Sequence, residues 1–299
     1  MRREPRCAGW ILFAFAVFML QAISTNCLLK ITAWTRKTPV PVTHDQRLKI
    51  PVGTSSGGGG GSSWATAGLA SGFAFGYPLR DDEVGNTNNL RGWNASGAYD
   101  AANDLTNRGT VSFTTVNGKK CAVLNSSPDS KQLTISTTPG SIVSNTNFTL
   151  AYWFQKTTLA DNGQHHLLWF GDYGSTTSDG AYLQIGSGTK FSAFSLNDDA
   201  QLSNVAHTIN DTNWHHWVMT RNGNVWRFFV DGSPLGQVTN PAATVDLNGG
   251  FRIGGYFGTP SFASSARGGI YDVLVWTRAL SDADVVALYN SGSSLNPAK

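Results

Sequence analysis

Two pairs of adjacent histidines, His165-His166 and His215-His216, are the first side chains here that could ligate a metal or move a proton. Two pairs of adjacent aspartates, Asp81-Asp82 and Asp198-Asp199, could serve as acid and base, and Cys121 could act as a nucleophile. Each chemistry sets a geometric condition. Zinc needs its imidazoles to converge on one ion. A glycosidase needs two carboxyls facing across the scissile bond, about 5 Å apart if it retains configuration. Neighbouring residues on a strand point to opposite faces, so no pair meets its condition alone. A zinc site would have to recruit residues from distant strands. The aspartate pairs read as turns, and Cys121 in "GKKCAVLN" reads as a small core residue with no implied base. Glutamate is nearly absent: Glu4 and Glu83 stand against 17 aspartates.

The element that carries the second histidine pair is legible from its alternation. In "NWHHWVMTRNGNVWRFFVDG", residues 213–232, Trp214, His216, Val218 and Thr220 share one strand face. His215, Trp217, Met219 and Arg221 share the other. Asn222-Gly223 predicts a two-residue hairpin turn, because both central positions of a type I′ turn need positive φ. Trp226, Phe228 and Val230 then alternate with Val225, Arg227 and Phe229, and Asp231-Gly232 makes the next turn. On this hairpin one imidazole is expected to be packed or hydrogen-bonded and the other solvated.

The same texture runs through the body of the chain. "GFAFGYPL" places Phe73, Phe75, Tyr77 and Leu79 on one face. "NFTLAYWFQ" places Phe148, Leu150, Tyr152 and Phe154 opposite Thr149, Ala151, Trp153 and Gln155, a strand buried on both sides. "QLTIS", "HLLWFG", "AYLQIG", "KFSAFS", "FRIGG" and "GIYDVLVW" add further strands, about a dozen in all, which implies two stacked antiparallel sheets. One helix is expected, in "SDADVVALYN", with Ser281 as N-cap, Asp284 returning the cap bond and Val285 and Leu288 facing inward.

Ahead of this body, residues 1–27 hold three arginines and an apolar run from Ala8 to Ile23, an apolar helix readable as a cleaved signal peptide or a membrane anchor. Residues 28–70 form an extended stalk and a Gly/Ser-rich linker, "GTSSGGGGGSS", spanning roughly 18 Å as a flexible coil. The domain is expected over 71–292, with a tail at 293–299. The formal net charge is +3, but the first fifty residues hold eight basic side chains; without them, Glu4 and Asp45, 14 basic residues face 17 acidic ones. The body is slightly acidic, which argues against a nucleic-acid partner. Cys7, Cys27 and Cys121 leave one cysteine in the body, so no disulfide framework forms within it.

From the hairpin onward the chain resembles the laminin G-like, concanavalin A-like jelly roll. Trp214-His215-His216 followed by Phe229-Val230-Asp231-Gly232 carries the likeness first. "FRIGG" (251–255), "GGIYDVLVWTRALSDADVVALY" (268–289), and upstream "FGYPL", "DLTNRGTVSF" and "FTLAYWF" continue it in order over residues 72–292. The resemblance implies an all-β, two-sheet antiparallel sandwich with a short C-terminal helix. Members of this fold include carbohydrate-binding modules, adhesive modules and β-glucan hydrolases, so the fold alone does not choose. The hydrolases set their carboxylates as Glu-x-Asp-x-Glu along one strand, and no glutamate lies beyond position 83.

Binding is the expectation that remains: a non-catalytic, lectin-like or adhesive module at an extracellular, cell or virion surface, recognising a glycan or glycoprotein. A coat or virion decoration protein with no sugar site is the rival, and a glycoside hydrolase a lesser one. Candidate ligand-binding aromatics are Trp93, Tyr99, Tyr173, Tyr256 and Phe257, with Phe262 nearby, set against packing within their own loops. The resemblance also implies a structural Ca²⁺ held by aspartates. Where the family often has Ile-Asp-Asp-Val this chain has Ile270-Tyr271-Asp272-Val273, leaving Asp272 with Asp81 or Asp82 as candidate ligands, against plain solvation of these carboxylates. Four sequons, at Asn94, Asn125, Asn147 and Asn210, would permit glycosylation in a eukaryotic host.

Overall fold

Alternating apolar runs become strands wherever Gly, Asn or Asp breaks them. In the computed structural model the described residues are 68–80, 90–108, 111–125, 132–135, 146–157, 164–170, 179–184, 189–195, 200–240, 250–254 and 267–290. All lie in the unit Gly59–Lys299. The apolar segment, stalk and linker through residue 67 and the tail at 293–299 lie outside them. Among the described residues no helix is long and apolar enough to cross a membrane.

The strands are β1 (Phe73–Tyr77), β2 (Gly92–Trp93), β3 (Tyr99–Asp100), β4 (Thr106–Arg108), β5 (Ser112–Val116), β6 (Lys119–Asn125), β7 (Gln132–Ile135), β8 (Asn147–Lys156) and β9 (Gln164–Phe170). They continue as β10 (Asp179–Gln184), β11 (Lys190–Ser195), β12 (Ala200–Ala206), β13 (His215–Asn222), β14 (Val225–Val230), β15 (Ser233–Thr239), β16 (Phe251–Ile253) and β17 (Arg267–Trp276). Helix α1 (Asp282–Tyr289) follows. One sheet runs β15-β14-β13-β8-β17-β1-β2-β3, with β6 against β17 and β5 against β6; the other runs β12-β11-β10-β9-β16-β7-β4. Pairing is antiparallel throughout.

The sheets stack face to face through aromatic side chains. Phe251 meets Phe75 at 5.2 Å and lies parallel to Tyr77 at 5.8 Å, while Phe191 meets Trp217 at 5.5 Å and Phe228 at 5.1 Å. Phe148, Leu150, Tyr152 and Phe154 of β8 join this core as the alternation predicts. The opposite face of β8 is covered too, for Ala151 belongs to a second apolar layer with Val218, Phe229, Leu274 and Trp276 beneath Val285 and Leu288 of α1. Helix α1 carries the expected capping box between Ser281 and Asp284. Arg227 grips Asp282 with both guanidinium nitrogens, so the helix is held to β14 by charge as well as by its apolar side.

Three local departures from simple alternation change which side chains meet. A bulge between Phe73 and Phe75 turns Phe73 away from Phe75 and Tyr77. It packs edge-on against Trp276 at 5.5 Å, in the layer under α1. The β13–β14 turn is displaced by one residue from the expected Asn222-Gly223: Asn222 pairs with Val225, so Gly223 and Asn224 form the loop. Gly223, with φ 57°, takes the first central position, where hairpin turns demand positive φ. The third departure lies at the start of the domain, which reaches back past the expected residue 71. Leu69 is fully buried, and its carbonyl accepts from the Trp276 indole at 2.8 Å.

Strand β17 is the most constrained element. It pairs with β8 along one edge, while its other edge passes from β6, at residues 267–270, to β1, at residues 273–276. Where it passes, the ladder with β8 skips between Tyr271 and Leu274, and Asp272 adopts φ 47°. Gly268 lies so close to β8 that a Cβ would fall 1.9 Å from the Gln155 carbonyl oxygen. Gly268→Ala should therefore lower stability by at least about 3 kcal/mol in chemical denaturation, because the obstacle is backbone that cannot rotate aside. Gly118→Ala, at φ 77° with open space around it, should cost only about 1–2 kcal/mol from backbone strain.

Candidate functional site

The two histidines of β13 diverge. His215 sits between two carboxylates, Nδ1 to Asp231 Oδ2 at 2.6 Å and Nε2 to Asp211 Oδ1 at 3.0 Å. Burial disfavours its charge, but the hydrogen bonds to Asp231 and Asp211 outweigh it and raise the pKa above the usual imidazole value. His216 is 2% exposed, lies against Trp153 at 5.0 Å and Tyr289 at 6.2 Å, and is pushed down to about 3 by burial. The expectation of one solvated ring fails, since the Asp-Gly turn after β14 returns Asp231 to the start of β13. Asp231 also accepts the His216 amide at 2.9 Å. The pair is architecture: one ring clamped between carboxylates that favour its charged form, the other neutral and stacked. The side chains of His165 and His166 lie outside the described residues. Among the described residues no group of three or more His, Cys, Asp or Glu is arranged to hold a metal.

Cys121 is buried, donates to the Thr114 carbonyl at 3.6 Å and is pushed up to about 12 by burial, so its sulfur stays a protonated thiol.

Of the candidate calcium ligands, Asp81 and Asp82 lie outside the described residues. Asp272 is 2% exposed and 3.0 Å from the Arg80 guanidinium, which also lies over Tyr271. Its amide donates to the Pro78 carbonyl at 3.1 Å, so the bulge is tied to the exit of β1 by backbone and by charge. A cation at Asp272 would have to compete with Arg80.

Of the candidate ligand-binding aromatics, Tyr173, Tyr256, Phe257 and Phe262 lie outside the described residues. Trp93 and Tyr99 face each other across the β2–β3 hairpin at 5.9 Å. Trp93 is fully buried and its carbonyl accepts from Asn103 Nδ2, so its ring supports the corner from beneath. Tyr99 is half-buried, and the Arg91 guanidinium lies over its ring, 4.9 Å from the centroid. The connecting turn is held by Asn94, whose Oδ1 accepts from the Ser96 amide at 3.0 Å, the Ser96 hydroxyl at 2.7 Å and the Ala98 amide at 3.2 Å. Asp100 closes the hairpin by accepting from the Ala102 amide at 3.0 Å.

A polar row that the strand reading did not single out crosses the outer face of the seven-stranded sheet. Trp169, Arg252 and Thr134 are register neighbours on β9, β16 and β7, each flanked along its strand by residues of the inter-sheet core. Alternation between the inward Phe251 and Ile253 was the signal that Arg252 faces outward. At 0–5% exposure the row is a buried polar layer and offers no open platform.

A sequence model of the concanavalin A-like lectin/glucanases superfamily matches residues 129–286. The chain belongs to this superfamily. No curated protein matches it. Among solved structures it is similar to domain 4 of AbnA, a GH43 extracellular arabinanase from Geobacillus stearothermophilus, in complex with arabinotriose. That match has 18% identity and a TM-score of 0.52, covering 73% of this chain and 98% of the other. It is also similar to the binding domain of botulinum neurotoxin serotype D/C VPI 5993, at 12% identity and a TM-score of 0.57, and to the botulinum neurotoxin DC binding domain in complex with SialylT, at 14% and 0.53. The chain covers 53% and 52% of those two domains, about half their length. At these identities the likeness is one of fold, and it is the superfamily's sandwich that is shared.

The opposed histidines predict a two-sided pH dependence. His215 has a raised pKa when folded, so its contribution is complete below about pH 6.5, the unfolded imidazole value, and is lost as pH rises through the folded value. His216 has a lowered one, so its neutral burial costs nothing above about pH 6.5 and destabilises increasingly as pH falls toward 3. Melting temperature followed from pH 4 to 9 should peak near neutrality, with His215→Gln flattening the alkaline limb and His216→Phe the acidic one.

Proposed function

We propose that this chain is a non-catalytic binding module that recognises carbohydrate. The observation that carries this reading is the β2–β3 corner, where Tyr99 and Arg91 stand half-buried on a turn held rigid by Asn94. Part of the outer face of the ten-stranded sheet lies under α1, and the polar row on the seven-stranded sheet is buried. Sugar recognition at rims and loops of a rigid sandwich suits such a division of labour. Two similar domains, in complex with arabinotriose and with SialylT, support the same class of ligand.

Catalysis is disfavoured by the carboxylate inventory: the chain has only Glu4 and Glu83, so the Glu-x-Asp-x-Glu strand of the superfamily's hydrolases has no counterpart. The proposed setting is outside a membrane, with residues 1–27 as signal or anchor and the Gly/Ser-rich segment as tether. The extracellular arabinanase among the similar structures supports that setting.

A glycan array probed with the full chain should show reproducible binding, and incubation of the bound glycans should release no new reducing ends. Because Asp272 is already paired with Arg80, binding should survive EDTA. Silence across the array, with a stable oligomer in solution, would favour an assembly role and overturn this reading.

A further inference from the structure

Tyr99 was expected to offer an aromatic face to a sugar, and the structure gives that face to Arg91. The guanidinium lies 4.9 Å from the ring centroid, and the Trp93 ring lies 5.9 Å from that of Tyr99 across the hairpin. Both flanks of Arg91 are pinned. The Leu90 carbonyl accepts from the Leu105 amide at 2.8 Å, and Gly92 pairs with Asp100. Gly92 itself has no room to move, since a Cβ there would fall 2.7 Å from the Asn103 carbonyl oxygen.

Arg91 is half-buried, and among the described residues its N–H groups meet no hydrogen-bond acceptor or carboxylate; its recorded contact is the Tyr99 ring. The nearest carboxylate along the paired strand, Asp100, is engaged in capping Ala102. Arginine carries five N–H donors in a planar fork matched to carboxylate and sulfate oxygens. Stacking on a ring fixes that plane in advance, so less side-chain freedom is lost when a ligand docks. Among the described residues this corner therefore displays an oriented cation with no anion beside it. A neutral sugar would have to stack on a ring already covered, or on Trp93, which is fully buried.

We infer that Arg91, seated on Tyr99, is an anion-recognition element and that the ligand at this corner is an acidic saccharide, bearing a carboxylate or a sulfate. The inference rests on the carbohydrate-binding reading above and narrows it. Arg91 supplies a bidentate, charge-assisted contact to the acidic group, and Tyr99 holds the guanidinium plane.

The test is an array of carboxylated, sulfated and neutral glycans probed with the full chain, followed by calorimetry of the best acidic hit against its neutral counterpart. The wild-type chain should prefer the acidic glycan by at least about tenfold, and the preference should shrink with added salt. Arg91→Ala should abolish the preference without changing the melting temperature. Arg91→Lys should keep only part of it, because a point charge lacks the fork, and Tyr99→Ala should weaken it by freeing the guanidinium. Whether carboxylated or sulfated glycans respond to Arg91→Ala identifies the acidic group. Equal binding of acidic and neutral glycans, or an acidic preference untouched by Arg91→Ala, overturns this inference while leaving carbohydrate binding intact. Absence of binding to every glycan overturns both, as does Arg91-dependent capture of a polyglutamate peptide with no glycan bound.

Discussion

A strand has two edges, and three strands must share the two edges of β17. One edge is filled by β8 along nearly its whole length. The other is divided, β6 taking the first part and β1 the last. That division dictates much else. At the crossing the backbone must leave the ladder, which puts Asp272 into a left-handed conformation inside the protein, and a carboxylate so placed requires a cation, supplied by Arg80 as the chain leaves β1. Leu79, the residue that delivers Arg80, is itself left-handed at φ 54°. Two left-handed positions, one just past the end of β1 and one at the break in the β17 ladder, thus flank the Arg80–Asp272 ion pair. The close approach of β17 to β8 also explains Gly268, while Gly269 lies under the Trp214 ring and against the Cys121 sulfur.

What could be read from the sequence was what depends on period and on near neighbours. The two-sided burial of β8, the alternation of β13 and β14, the Asp231-Gly232 turn and the Ser281–Asp284 capping box all rest on residues within a few positions of one another. What escaped depends on partners far along the chain. The bulge that turns Phe73 over is imposed by Trp276, and the fate of His215 is set by Asp231, delivered only once the hairpin has folded back. The one-residue displacement of the β13–β14 turn has a more local cause. Pairing Asn222 with Val225 keeps Met219 and Phe228 side by side in the core, and that register outweighs the intrinsic preference of Asn-Gly.

For the candidate site the balance is similar. The sequence pointed to Trp93 and Tyr99 as loop aromatics; they end β2 and begin β3 on either side of a turn, and nothing local signalled that one would be buried and the other covered by Arg91. Position 91 carries no signal of its own, because its role exists only when β2 and β3 pair and bring Tyr99 under the guanidinium. Asp272 could be named as a carboxylate of interest but not as one already paired, since Arg80 reaches it across nearly two hundred residues of chain.

The first described residues do more than begin the sandwich. The Gly68, Leu69, Ser71 and Gly72 carbonyls accept bonds from Arg278, Trp276, Arg278 and Thr277, so the segment is laced to the end of β17 and the approach to α1. A pull delivered through the preceding chain would enter the domain here and be shared at once among several bonds that must yield together. Force would thus reach β17, paired along both of its edges, first. A domain built this way can bear a mechanical load at its point of entry.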